Sequence, residues 1–426
     1  MYRIIIFTFQ ILILLIFFTF VFSYPFSISL DIANLKYTFS SNILFGILIF
    51  FLFIVYIGNY IFFRSRLSIN KFLLKNKYSK IQKGYQHFME GMISIANKDH
   101  LNASKSLKKM SNYFKEEPSL SLLLKSEVYK IEKRLPELID VYETMIKSNK
   151  TEALGYRGLM EQNLNNGDYH HAFLYGEKLF NINPKIEKLY ETLIYICAKT
   201  KNWNQLILIS DKAYYRKIIS KKDLYENKSI GYYEIAQIKF ESDPKEATKN
   251  ITKAIEYKKN FPPYIKLHLE IISSMNNLSL LKRMIKKYWT QSPTNIIRSI
   301  ITKIISENNL GNLAFVNQII NNNSNDEESK KMLIFFAIKN QDWDIARSKI
   351  SGLIGAKPSR EICLFMADIE LGENNDKQKS DSWILRSEGS TEPNIWTCKI
   401  TNKSQENWNS LSETGFFNSL VLTDHT

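Results

Sequence analysis

A pattern that recurs about every 34 residues constrains the fold of this 426-residue chain more than any other feature. In the unit 156–184, Tyr156 and Leu159 lie three residues apart and would share one face of a helix. Asp168 follows a glycine that interrupts this helix, and Ala172 is small enough for a second helix to cross the first closely. The unit therefore predicts two helices joined by a short turn.

The same spacing is found along most of the chain. Positions equivalent to Ala172 follow one another at intervals of 32 to 35 residues, with one interval of 41 between Leu206 and Ala247. Four places earlier, seven of nine units carry Asp or Asn, whose side chains can accept hydrogen bonds from the amides that open a helix. These nine positions are Asp99, Arg134, Asp168, Asn202, Asp243, Asn276, Leu310, Asp342 and Asp376. The units resemble tetratricopeptide repeats, which stack into a solenoid.

The repeats and their flanks suggest a domain plan. The chain is too long for one ordinary core, but a solenoid packs each unit only on its neighbours. We predict an all-α protein with tetratricopeptide-like repeats over 96–390 and an aromatic tail over 391–426. We expect the tail to cover the last repeat as a cap. An Asn-rich acidic stretch at 321–329 predicts a loop between repeats.

Two uncharged runs precede the repeats, at 4–22 and 43–63. A membrane-spanning helix needs about 20 mostly apolar residues. A signal peptide is the competing interpretation of the first run, but a small-residue cleavage site is not evident and a second run follows. We predict a transmembrane helical hairpin over 1–63 with a short outer loop at 23–42. Alternating apolar residues in this loop predict a short extended pair.

A basic segment follows the second run. Between residues 64 and 83 there is no Asp or Glu, and the basic residues are Arg64, Arg66, Lys71, Lys75, Lys77, Lys80 and Lys83. Because positive flanks stay on the cytoplasmic side, both termini and the repeats are expected in the cytoplasm, on a multi-pass inner-membrane protein. The flank would also attract anionic lipid headgroups. Helical spacing over 64–95 predicts a juxtamembrane helix that enters the first repeat without a flexible linker.

Composition limits the functional classes. The net charge is +15, but Lys, Asn and Ile are abundant throughout, so we attribute the charge to composition and to the membrane flank and predict no nucleic-acid partner. Cys197, Cys363 and Cys398 are too far apart to indicate a disulfide framework or a metal site. The sequence offers no nucleophile, base and oxyanion-donor set, so we predict no enzymatic activity. The 41-residue interval contains a basic and aromatic segment at 212–222, interpreted either as a longer helix or as a docking surface.

The C-terminal region carries a second resemblance. Its distinctive elements are Gln341-Asp342-Trp343, Trp383, Trp396-Thr397-Cys398, Trp408 and Gly415-Phe416-Phe417. Together with the two-run start and basic flank, they resemble the proteobacterial HemY family of two-span inner-membrane tetratricopeptide proteins associated with late haem biosynthesis. Members of that family can end in paired Cys-x-x-Cys-Gly elements. Here Thr401 stands where the partner of Cys398 would be, so we predict no metal site.

The resemblance implies a membrane-anchored scaffold whose partners include late haem-biosynthesis enzymes such as ferrochelatase. Tyr156, Tyr190 and Tyr264 share one repeat position, and they would either contact a partner in a concave groove or pack between repeats. One alternative is a carrier that binds haem or porphyrin directly, with His87, close to the membrane, as candidate ligand. Another is an assembly factor for envelope lipopolysaccharide. The chain has no Gly-x-Gly-x-x-Gly fingerprint of a flavin-dependent oxidase.

Overall fold

The computed structural model describes residues 9, 12–13, 15–19, 23–24, 26–32, 35–113, 118–355, 358–388 and 395–423. Helices dominate these residues. The chain divides into two compact units, Met1–Leu138 and Ile139–Thr426.

The first unit opens with a β-hairpin. Strands β1 (Ser27–Ile32) and β2 (Leu35–Ser40) pair antiparallel, with Leu30 opposite Tyr37. The extended pair that the alternating sequence predicts is therefore confirmed. Most of the predicted first span, 4–22, lies outside the described residues, although Phe17 is described and its ring lies 6.1 Å from that of Phe45.

A single 56-residue helix, α1 (Ser41–Ala96), follows the hairpin. Within the described residues, its segment Phe45–Phe62 is the one helix long and apolar enough to cross a membrane, with a mean hydropathy of 2.3 and no residue buried. The helix continues without interruption through the basic flank, so residues 64–95 are helical as their spacing predicts. Its last turns pack on α2 (His100–Ser111) and α3 (Pro118–Ile131), around Met110 and Leu124.

The helices that follow have similar lengths. They are α4 (Leu135–Met145), α5 (Glu152–Asn165), α6 (Tyr169–Ile182), α7 (Leu189–Lys199), α8 (Trp203–Tyr215), α9 (Lys221–Lys239), α10 (Pro244–Tyr257), α11 (Pro262–Ser274), α12 (Leu278–Gln291), α13 (Asn295–Glu307), α14 (Leu313–Ile320), α15 (Glu327–Lys339), α16 (Trp343–Ser351), α17 (Arg360–Asn374) and α18 (Lys377–Ser387). They form successive helix pairs, and the small residues Ala172, Ala247 and Ala346 are completely buried where the helices of a pair meet. The array is tetratricopeptide-like, as the repeat spacing predicts.

Four of the seven predicted Asp and Asn caps make the expected hydrogen bond, while Asn202 and Asp342 precede their helices without one. Asp99, Asp168, Asp243 and Asp376 each accept a hydrogen bond from an amide in the first turn of a second helix. In two helix pairs the cap lies one or two residues after the predicted position. The caps are Asn277 and Asn312 rather than Asn276 and Leu310. Asn276 instead occupies the left-handed turn residue before the cap, with φ of 53°.

The 41-residue interval is taken up largely by α9, which is 19 residues long. Ser220 and Asp223 form a capping box that starts this helix. In the basic segment before it, Lys212 pairs with Glu177 at 2.7 Å and Arg216 donates to the carbonyl oxygen of Phe180. The Asn-rich stretch is a shorter loop than predicted, because Asn321–Asn323 form a 3-10 turn and α15 begins at Glu327.

The C-terminal tail forms a small antiparallel sheet of β3 (Ile395–Cys398), β4 (Ser404–Gln405) and β5 (Leu420–Thr423), in the order β4-β3-β5. It packs against α9, α10 and α11 in the middle of the array. The predicted cap over the last repeat is therefore wrong. The tail's aromatic residues find their apolar partners on the first helices of the middle pairs instead.

Candidate binding cleft

The tail is anchored by an aromatic cluster. The ring of Trp408 lies 5.3 Å from Tyr233, 5.1 Å from Phe261 and 5.9 Å from Tyr264, each at a steep angle. Trp396 also meets Phe261, at 5.8 Å. Aromatic pairs favour such edge-to-face arrangements. This cluster fixes the sheet on the side of α9 and α11.

Polar contacts add to this attachment. The Asn418 side chain donates to the Glu226 carboxylate at 3.3 Å. Burial raises the pKa of Glu234, while a hydrogen bond with Ser410 of the tail opposes this rise. Both carboxylates belong to α9, so the tail is joined to that helix by hydrogen bonds as well as by apolar contact.

An open cleft of about 1070 Å³ lies between the tail and the array. Its array wall comprises residues of α7, of α9 and of the turn between α8 and α9: Tyr190, Glu191, Ile194, Tyr195, Lys199, Ile218, Ile219, Asp223, Glu226 and Asn227. Its tail wall comprises Ile400, Glu413, Thr414, Gly415, Phe416, Phe417 and Asn418. We call this the composite cleft, because neither wall alone encloses it.

The predicted tyrosines have different environments. Tyr190 lies in the composite cleft but is only 7% exposed, and its hydroxyl accepts from Asn227 at 2.8 Å and contacts the Ser210 hydroxyl at 3.1 Å. Burial raises the pKa of Tyr190 to about 12. Tyr264 has no exposed surface and bonds with Ser229. Tyr156 is half-buried near Tyr175, outside the composite cleft. The shared repeat position therefore places two of the three inside the array.

The membrane-flank residues lie on α1. Arg64 donates to the Tyr60 hydroxyl at 2.7 Å, and Lys75 and Lys77 are exposed. Positions Arg66 and Lys71 are helical, and their side chains lie outside the described part of the structure.

The tail's single cysteine is surrounded by hydroxyl groups. The Cys398 sulfur lies 3.3 Å from the Ser419 hydroxyl and 3.7 Å from that of Thr414, which in turn lies 3.4 Å from Thr401. A tetrahedral metal site would need further sulfur ligands beside Cys398. The nearby side chains of Thr401 and Thr414 carry hydroxyl groups instead. Over the residues that the structure describes, no group of three or more His, Cys, Asp or Glu side chains could hold a metal ion.

Three of the six histidines have defined polar side-chain contacts. His87 contacts Glu90 at 2.9 Å and lies against the Tyr113 ring, and His171 contacts Asp168. His268 is buried and bonds to the Tyr288 hydroxyl. The candidate haem ligand His87 is therefore engaged with a carboxylate on its own helix.

Sequence reasoning did not identify Glu226, Glu413 or Phe416 as site residues. The two walls of the composite cleft are almost two hundred residues apart in the chain, as the Asn418–Glu226 contact shows. The tail's aromatic residues gave a signal for packing, but not for which surface they would cover.

The fold defines a tetratricopeptide-like helical-repeat protein in which the tail completes a cleft. No family model and no curated protein matches the sequence. Among solved structures, the chain is similar to the TPR2AB domain of yeast Sti1 in its pHSP90 complex (11% identity, 72% of this chain and 98% of that chain, TM-score 0.31). It is also similar to Naa15/Naa10 bound to HypK-THB (12% identity, 74% of this chain and 50% of that chain, TM-score 0.38). A third similar structure is yeast Tom70 (14% identity, 72% of this chain and 77% of that chain, TM-score 0.28). Because these identities and TM-scores are low, the assignment of the fold rests on the helix pairs of this chain itself.

Proposed function

We propose that this chain is a membrane-tethered adaptor that holds a partner protein in the composite cleft. The observation that carries the proposal is the cleft itself, which is open and combines apolar side chains with carboxylates. Exposed apolar surface of this kind marks interaction sites on soluble domains. On the tail wall, Ile400 is 60% exposed and Phe416 is 39% exposed. The proposal assigns no reaction to the chain.

The membrane part of the proposal rests on α1. An apolar segment, Phe45–Phe62, leads directly into the basic flank and then into the first helix pair. In this proposal the run 4–22 supplies a second span, and the flank lies at the cytoplasmic face of the inner membrane near anionic lipid. The helix pairs would then present the composite cleft to cytoplasmic proteins.

The pathway is a further part of the proposal. The resemblance to the HemY family suggests that the partners act in late haem biosynthesis, with ferrochelatase as the first candidate. A scaffold at the membrane would keep poorly soluble porphyrin intermediates near the enzymes that use them. Direct transport of haem has less support, because the candidate ligand His87 contacts Glu90.

The test is photocrosslinking in intact membranes. A photoreactive amino acid at Ile219, in the composite cleft, should capture a partner that the same group at Leu208 does not. Leu208 is a matched control, because it is 52% exposed and lies outside the cleft lining. Recovery of ferrochelatase or another late haem enzyme supports the pathway. Recovery of envelope-assembly factors alone would support the adaptor proposal and reject the assignment to haem biosynthesis. Equal capture at both positions would reject the adaptor site.

A further inference from the structure

The composite cleft carries a charge opposite to that of the whole chain. Its lining contains the carboxylates of Glu191, Asp223, Glu226 and Glu413 and a single cation, Lys199. The chain as a whole has a net charge of +15. A negative site on a positive molecule selects among partners, since it attracts cations and repels the anions that the rest of the surface favours.

The four carboxylates are not neutralised by salt bridges. Among the described residues, no Lys or Arg lies within salt-bridge distance of any of them, and Lys258 acts on Glu226 only from a longer distance. Asp223 holds the capping box of α9, and Glu226 accepts from Asn418, so both are fixed in place by neutral groups. Glu191 and Glu413 are exposed, one on each wall. The negative charges of Asp223 and Glu191 also add to the effect of burial in raising the pKa of Tyr190.

Apolar side chains lie beside these charges. Ile218 and Ile219 come from the array, and Ile400 and Phe416 from the tail. A ligand that pairs only with the carboxylates would leave this apolar surface exposed to water, which is unfavourable compared with covering it. The lining therefore fits a ligand with positive charges and at least one bulky apolar group.

We propose that the composite cleft binds an extended segment of a partner protein in which Lys or Arg residues flank an apolar anchor. This inference deepens the adaptor proposal and rests on it. The cationic groups would pair with Glu191 on one wall and Glu413 on the other, and the anchor would lie against Phe416 and Ile219. The tail is thus half of the binding site rather than a cover over it. The same carboxylates disfavour nucleic acid and acidic peptides.

The probe is a short fluorescein-labelled peptide of lysines and glycines around one phenylalanine, titrated against the full chain in lipid nanodiscs. Fluorescence anisotropy should show saturable binding that weakens as salt rises, because the Debye length falls from about 10 Å at 0.1 M to about 3 Å at 1 M. Peptides with glutamate for lysine, or with glycine for phenylalanine, should bind at least about fivefold more weakly.

Two variants test the assigned walls. Glu191→Gln combined with Glu413→Gln should weaken binding roughly fivefold, and Phe416→Ala by a similar factor. The matched control is Glu143→Gln with Asp381→Asn, which removes two exposed carboxylates elsewhere and should leave binding unchanged. Each substitution is at an exposed position, so the fold should be retained, and circular dichroism checks this.

The outcomes separate this inference from the adaptor proposal. Equal binding of the lysine and glutamate peptides, or equal effects of the cleft and control variants, overturns the inference. If Ile219 still crosslinks a partner in that case, the adaptor proposal stands alone. If neither crosslinking nor peptide binding occurs, both are rejected. Concentration-dependent crosslinks from position 413 to residues 64–83 of a second copy would replace the separate partner with self-association.

Discussion

The turns inside several helix pairs are each built on one residue with a left-handed backbone. Lys98, Lys133, Gly167, Lys201 and Gln341 occupy this position, with φ between 56° and 75°. The next residue donates its amide back to the first helix, as Arg134 does to the Tyr129 carbonyl at 3.0 Å. At Asp99 and Asp168 the side chain of that next residue also caps the second helix, so one residue serves both helix ends.

Replacing Lys133 by Gly should stabilise the first unit. A non-glycine residue in the left-handed region is strained by about 1–2 kcal/mol. Glycine removes this strain, but it also makes the unfolded chain more flexible, which offsets part of the gain in stability. We expect the free energy of unfolding to rise by about 0.5–1 kcal/mol, measured by urea denaturation. Lys130→Gly, in the last turn of α3, is the control and should lower it by up to about 1 kcal/mol. A loss of stability in Lys133→Gly would contradict the assigned strain.

His268 should make stability depend on pH. Burial lowers the pKa of His268 from 6.5 to about 4, and nearby Lys287 adds to this. Between these values the unfolded chain binds a proton that the folded chain does not, so stability falls as pH falls through this window, by up to about 3 kcal/mol. Urea denaturation at pH 7 and pH 4.5 would measure this.

The matched variant for this effect is His268→Gln, which keeps a hydrogen-bonding group beside Tyr288 but does not titrate in this range. Its stability should change less over the same pH interval. An unchanged pH dependence would mean that other groups cause the acid sensitivity.

Among the elements, the tail is the one whose attachment depends on few contacts. Replacing Trp408 by Ala removes the ring at the centre of the aromatic cluster, and substitutions of this kind cost about 3–5 kcal/mol. We expect the tail to detach while the helices remain. Limited proteolysis should then cut within 395–423, with little change in helical circular dichroism. Ile400→Ala, at an exposed tail position, should resist cleavage like the unaltered chain. Equal resistance of Trp408→Ala would show that other contacts hold the tail.

The helix pairs could be predicted because they recur about every 34 residues and several of them carry a cap residue and a small buried residue such as Ala172. The strands of the tail could not. They are two to four residues long, too short for alternation to be recognised, and their partners lie on distant helices. The aromatic residues Trp396 and Trp408 indicated burial, but the choice between the last pair and the middle pairs depends on the three-dimensional path of the chain.

For the whole molecule, topology is the main expectation to test. The native cysteines Cys197, Cys363 and Cys398 are buried, so they give a low labelling background. With Ser29→Cys in the hairpin, a membrane-impermeant maleimide should label intact cells. With Ser242→Cys in the array, labelling should require permeabilisation. The reverse pattern would place the array outside and contradict the orientation derived from the basic flank.

Neither the existence nor the charge of the composite cleft could be predicted from the sequence. Glu226 and Asn418 are unremarkable surface residues when considered singly, and their meeting depends on the tail's position. The negative charge of the cleft could not be predicted either, because the net charge of a chain does not determine the charge of one site.

The uninterrupted α1 helix also sets a distance. Residues 63–80 lie between the apolar segment and Ile81, which packs against the following helices. At about 1.5 Å per residue, this stretch is a rod roughly 27 Å long. In the proposed membrane setting, it would act as a ruler that holds the first helix pair at a set height above the bilayer. A partner embedded in the same membrane would need a cytoplasmic segment of comparable reach.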